Sequence, residues 1–143
     1  MDEEQSCKFT EVTGDLLDDS VFGENIRVVP VNNRGCPKFD GGLAGAVWLK
    51  YPDVAKEYAI VCRTSKGLPD GGIGSQDGKW FFLDTMRGLD VMSAGLHILS
   101  HYNPKLPIAM PWVGCGIAGY TRNQIRPMLI KELYNRKVRV VGT

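Results

Sequence analysis

Two glycine-led segments carry the residue types most suited to chemistry in this chain: DGGLAGA at residues 40–46 and GCGIAGY at residues 114–120. Each follows an apolar run that reads as a buried strand, NIRVVPV at 25–31 and PIAMPWV at 107–113. Glycine leaves the backbone N–H groups of a loop uncovered, and a helix that starts just beyond adds the positive end of its dipole. One such loop is also an ordinary tight turn. Two of them, each after a core strand, can grip a diphosphate from both sides.

Other chemistry-bearing residues lie close to these loops. Asn32 and Asn33 follow the first strand, and Asp15 follows Gly14 near the start of the chain. Each has a plain alternative. Asp15 also reads as a turn carboxylate, the asparagines as loop caps, and Tyr120 as a core aromatic. Cys115 reads as a small loop residue, because nothing near it in sequence would lower its thiol pKa. His97 and His101 share a helix face at i, i+4, but no glutamate follows His97, so they read as surface or packing residues. Cys7, Cys36, Cys62 and Cys115 form no CxxC pair, and the two histidines add no zinc spacing. Neither a metal nor a cofactor is expected. Reduced thiols in a cytoplasmic compartment are the simplest reading.

Composition sets the frame. With 143 residues, 43% of them hydrophobic and 23% charged, the chain suits one folded domain over 1–143, with residues 1–6 as a flexible tail. A formal net charge of +1 supplies no long-range attraction to nucleic acid or to an anionic membrane, so a nucleic-acid role would need a local site. No run approaches the length of a membrane span, and the acidic start MDEEQSCKF lacks the order of a signal peptide. A monomer is the default.

The elements that must position these residues alternate. Strands are expected at Lys8–Thr13, Asn25–Val31, Trp80–Met86, Leu106–Val113 and Lys137–Val141. Pro30 suggests that the second of them is about to leave the sheet. Helices are expected at Leu43–Lys50, Val54–Arg63 and Leu89–His101, with a last one from a cap at Thr121 or Asn123 to Asn135 that keeps Pro127 near its start. Thr64–Lys79, with five glycines and a proline, reads as an exposed loop. Trp48 and Trp80 read as packing residues, and Trp112 as either core or cleft wall. The order predicts an α/β fold, a three-layer α/β/α sandwich with a mixed, mostly parallel central sheet. Ligands in such folds collect where strands end, which points to Gly14–Leu17, Asn32–Ala46 and Gly114–Tyr120.

Gly14-Asp15-Leu16-Leu17, then VNN at 31–33, GGLAGA at 41–46 and GCGIAGY at 114–120, resembles the macrodomain family of ADP-ribose-binding modules over nearly the whole chain. The GCG loop, and the YP step within GGLAGAVWLKYPDVAKEY, are most similar to the divergent branch that cleaves or dephosphorylates ADP-ribose derivatives. The resemblance implies that Asp15 accepts from the adenine amino group, with Leu16 beside it. Asn33 would face the distal ribose, or Asn32 if the register is one residue off. Gly41, Gly42 and Leu43 would form the first phosphate loop, and Gly114, Cys115, Gly116, Ile117, Ala118 and Gly119 the second. Tyr120 would pack on the distal ribose.

The chain departs from the family's catalytic patterns. Ala44 and Ala118 stand where some members have aspartates, Thr85, Met86 and Arg87 where others have a lysine, and the phosphatase histidine near the asparagine is absent. Asp40 with Asn33 remains as the catalytic pair, orienting a water toward the anomeric carbon or a 1″-phosphate. Two functions follow: a hydrolase acting on ADP-ribose 1″-phosphate or an ADP-ribosyl adduct, and a reader that binds ADP-ribose without turnover. The expected partner is ADP-ribose or an ADP-ribosylated molecule, nucleic acid entering only as such a substrate.

Overall fold

The computed structural model describes residues 8–116 and 118–142. In chain order they form β1 (Phe9–Thr13), α1 (Asp19–Phe22), β2 (Ile26–Val31), α2 (Gly42–Lys50), α3 (Pro52–Ser65), β3 (Gly72–Gly74), β4 (Trp80–Asp84), α4 (Leu89–His101), β5 (Ile108–Met110), α5 (Arg122–Glu132) and β6 (Val138–Gly142). Short 3-10 turns occupy Pro37–Phe39 and Pro69–Gly71. The strands make one sheet in the order β1-β6-β5-β2-β4-β3. All its pairs are parallel except β3 with β4.

Successive residues of a strand point to opposite faces, so a strand covered on both faces is apolar throughout. Val28, Phe81 and Leu83 pack with Met92, Leu96 and Leu99 of α4 and with Ile125 and Leu129 of α5. Val29, Val31 and Phe82 pack on the other face with Val47 and Trp48 of α2 and Tyr58 and Cys62 of α3. Helices therefore cover both faces, as the alternation of elements requires. Trp48 and Trp80 are buried in the second cluster.

Helix ends follow local chemistry. Thr121 caps α5 in a capping box: its side chain accepts from Gln124 N–H, and Gln124 accepts from Thr121 N–H. Pro52 opens α3, where its missing N–H costs nothing, and Lys66 ends it in the left-handed conformation.

Several boundaries differ from the sequence reading. Thr64–Lys79 is not all loop, because Gly72–Gly74 adds an antiparallel edge strand to β4. The run expected as a strand over Leu106–Val113 holds only Ile108–Met110 in the sheet, and α5 stops at Glu132 rather than Asn135. Pro127 lies inside α5 rather than near its start. The carbonyl it leaves unbonded belongs to the exposed Asn123, where water can serve it.

Pro30 stands one residue before β2 ends at Val31, as expected, and it still pairs in register with Leu83. Ile26 N–H bonds Pro107 O on the β5 side, and Arg27 N–H bonds Lys79 O on the β4 side. Alternation places position 30 on the β5 side, where β2 and β5 pair only through Ile26–Ile108 and Arg27–Ala109. A missing N–H costs no ladder bond there.

Candidate functional site

The gap between β2 and β5 is the feature that makes a site. Beyond Arg27 and Ala109 the two strands part, while β2 continues to Val31 against β4 alone. From β2 the chain crosses one face of the sheet through α2 and α3, and from β4 it crosses the other through α4. The crevice at such a switch point, outside the carboxyl ends of the strands, is where open α/β sheets hold ligands.

A cavity of about 340 Å³ lies there. Its floor is Pro30, Val31 and Pro111, one wall is Asp40–Ala44, and the other holds Gly114, Gly116 and Ala118, with Asn32, Thr85, Met86 and Trp112 completing it. The two glycine-led loops thus meet across one space. Gly41 is the N-cap of α2 and makes no side-chain cap bond, so the first-turn amides of this nine-residue helix stay available to an anion. No acidic residue sits in that turn. Opposite, Gly114 takes φ +75 while its carbonyl accepts from Tyr120 N–H at 2.9 Å, turning the second loop back on itself. Trp112 is part of the cleft wall, with the Arg122 and Arg126 guanidinium carbons 5.2 and 5.1 Å from its ring centre. Arg126 is engaged with Glu11 through bonds of 2.7 and 3.1 Å.

At the other end stands a hydrogen-bonded group. Asn32 Nδ2 donates to Asp40 Oδ1 at 3.2 Å, and Trp48 Nε1 donates to Asp40 Oδ2 at 2.9 Å. Asn32 Oδ1 accepts from Arg34 N–H at 3.0 Å and from the Tyr58 hydroxyl at 3.2 Å. Tyr58 stacks on Trp48 with ring centres 5.0 Å apart. Burial pushes the Tyr58 phenol pKa well up, so it stays a neutral donor.

The expected site residues divide. Asn32, Asp40, Gly41, Gly42, Leu43, Gly114, Gly116 and Ala118 line the cavity, while Ile117 lies outside the described residues. Asn33, preferred over Asn32 from the sequence, is turned away. At φ +71 its Oδ1 accepts from Leu68 N–H at 2.9 Å, on the far side of the strand end. The reason is the left-handed backbone at Asn33, which sends consecutive side chains in different directions.

Asp15 is exposed at the end of β1, its Oδ1 accepting from Leu17 N–H at 2.9 Å, the turn-carboxylate arrangement. Leu16 is 5% exposed and packs with Phe22, Ala109 and Val141. Tyr120 and Cys115 pack toward the α4–α5 core rather than lining the cavity, and Gly119 is exposed beside them. Burial raises the Cys115 thiol pKa, which keeps it protonated and unreactive near neutrality. Among the described residues no group of three or more metal-ligating side chains occurs, and no helix is long and apolar enough to cross a membrane.

Sequence reasoning named Thr85 and Met86 only as standing where some family members have a lysine, and gave Tyr58 no part near the cavity. Tyr58 lies 26 residues beyond Asn32, and no local pattern ties the two together.

No family model matches the chain, and no curated protein matches it. Solved structures do. The chain is similar to Thermosipho africanus DarTG in complex with ADP-ribose at 21% identity and TM-score 0.74, covering 93% of this chain and 41% of that one. The macrodomain of Thermus aquaticus DarG matches at 19% identity and TM-score 0.66, over 93% of this chain and 95% of its own. A macrodomain protein from Streptomyces coelicolor matches at 17% identity and TM-score 0.69, over 94% and 99%. The chain thus spans less than half of the DarTG chain and nearly all of the other two. With six strands in this order, helices on both faces and these structural neighbours, the chain has the macrodomain fold.

Proposed function

We propose that this chain binds ADP-ribose across the gap between β2 and β5. The observation that carries the reading is the convergence of two glycine-led loops on one cavity, with an uncapped helix N-terminus on one side and Asn32 with Asp40 at one end. The loop amides hold the diphosphate. Asn32 and Asp40 face the terminal ribose. Asp15, exposed at the end of β1 beside Gly142, accepts from the adenine amino group. The complex of Thermosipho africanus DarTG with ADP-ribose supports the choice of ligand. Calorimetric titration with ADP-ribose, ADP and AMP tests it: micromolar binding of ADP-ribose with much weaker AMP binding is expected. Equal binding of all three, or none, would overturn it.

A second reading is hydrolysis at the terminal ribose, of ADP-ribose 1″-phosphate or an ADP-ribosyl adduct. It is favoured by the placement of Asp40 on the cavity wall beside Asn32. A carboxylate has about four lone-pair positions, and two here are taken, which leaves capacity to hold a water. The loop amides would stabilise the developing negative charge. Asp40→Ala is expected to abolish release of phosphate from the 1″-ester while ADP-ribose still binds, more weakly because the Asn32 amide loses its acceptor; unchanged turnover rules this role out.

A further inference from the structure

We infer that Tyr58 and Trp48, neither of which lines the cavity, are positioning residues that fix which face of the Asn32 amide the ligand meets; this rests on the ADP-ribose reading above. An asparagine amide can be turned over about its last bond, exchanging oxygen for nitrogen, and only its partners decide between the two. Here the partners agree. Arg34 N–H points at one amide atom, which must then be the oxygen, and the Tyr58 hydroxyl, which accepts from Gly35 N–H at 3.2 Å, gives its own proton to that same oxygen. The Asp40 carboxylate faces the other, which must be the nitrogen.

Turned over, the oxygen would confront a carboxylate and the NH2 would confront a backbone N–H, so two contacts become repulsive. Trp48 secures the arrangement from behind, because its indole N–H holds Asp40 Oδ2 and its ring stacks on Tyr58. Asn32 is half-buried on the cavity wall, with both lone pairs of Oδ1 used and one N–H given to Asp40. What it offers the cavity is its second N–H. The ligand atom there is therefore an acceptor, such as a ribose hydroxyl or ring oxygen, and the selectivity for a terminal ribose comes through this amide.

Tyr58→Phe and Trp48→Phe each remove one hydrogen bond and keep an aromatic ring in the stack. Affinities of both variants for ADP-ribose and for ADP, which lacks the terminal ribose, are measured by calorimetry beside the unaltered protein. Each variant is expected to bind ADP-ribose about tenfold more weakly while ADP affinity stays within about twofold, so the preference between the two ligands falls. A merely structural loss would weaken both ligands alike, and that result would overturn the inference while leaving the ADP-ribose reading intact. Unchanged preference in both variants would do the same. Failure of the unaltered protein to bind ADP-ribose would instead overturn the reading itself.

Discussion

Trp48 reaches back from the last turn of α2 to donate its indole N–H to Asp40, the residue before the N-cap Gly41, at 2.9 Å. This bond closes the first glycine loop on its own helix and holds Gly41 and Gly42 between two fixed points. Asp40→Ala leaves the indole of a buried tryptophan without its acceptor. A loss of about 1–3 kcal/mol is expected from the unsatisfied donor, read as a lower midpoint in urea. An unchanged midpoint would mean that the clamp adds nothing to stability.

Gly41 and Gly114 line opposite walls and respond differently to a side chain. Gly41 has extended backbone, and a Cβ built there meets nothing within 4 Å. Gly41→Val is expected to keep stability within about 0.5 kcal/mol while weakening ADP-ribose binding at least tenfold, because the isopropyl group covers the loop amides. Gly114 sits at φ +75, and a Cβ there would lie 2.8 Å from Met92 Cε. Gly114→Val is expected to lose on the order of 1–3 kcal/mol from backbone strain alone. Thermal unfolding and ligand titration of the two variants separate the effects.

Arg136, 6% exposed, closes the end of α4. Its guanidinium donates to the carbonyls of Leu99, Ser100, Tyr102, Asn103 and Leu106 at 2.8–3.2 Å. Ser100 lies in the last turn of α4, whose carbonyls a helix end leaves without intrahelical partners, Tyr102 is the C-cap, and the charge lies at the negative pole of the helix dipole. Arg136→Met keeps the aliphatic stem and removes the donors. A loss on the order of 3 kcal/mol is expected in equilibrium unfolding.

Alkaline pH is expected to weaken the fold. Burial raises the pKa of Tyr58, Tyr102 and Cys62 above their ordinary values of 10.0, 10.0 and 9.0. The folded state therefore holds more protons than the unfolded one at high pH. The contribution of these groups to stability is complete below about pH 9 and is lost as pH rises toward the raised values. Denaturant midpoints are expected to be flat from pH 7 to 9 with respect to these groups and to fall above that. Tyr102→Phe should make the fall shallower, and an unchanged slope in that variant would remove Tyr102 from the account.

Much of the fold is legible along the chain. Ile26–Val31 is apolar throughout because helices cover both of its faces, and Leu89–His101 shows helix spacing because one side of it faces the sheet. β3 left no such mark. Gly72-Ile73-Gly74 has no alternating pattern, and it becomes a strand only because β4 offers it an edge. The contraction of β5 to Ile108–Met110 is likewise invisible locally, since Leu106 to Val113 is apolar whether or not each residue pairs.

The sequence by itself determined the two glycine loops, their place after strands and the helices behind them, because turns, strand alternation and helix spacing are local properties of the backbone. Tertiary structure decided which residues meet in the cleft. That Asn32 lines the cavity while Asn33 does not goes with the left-handed backbone at Asn33 and its bond to Leu68, 35 residues away. The contacts of Tyr58 with Asn32 and Trp48 depend on α3 packing against α2, and the cavity lies where β2 and β5 part after two pairs. These are relations between segments distant in sequence, fixed only when the core brings them into contact.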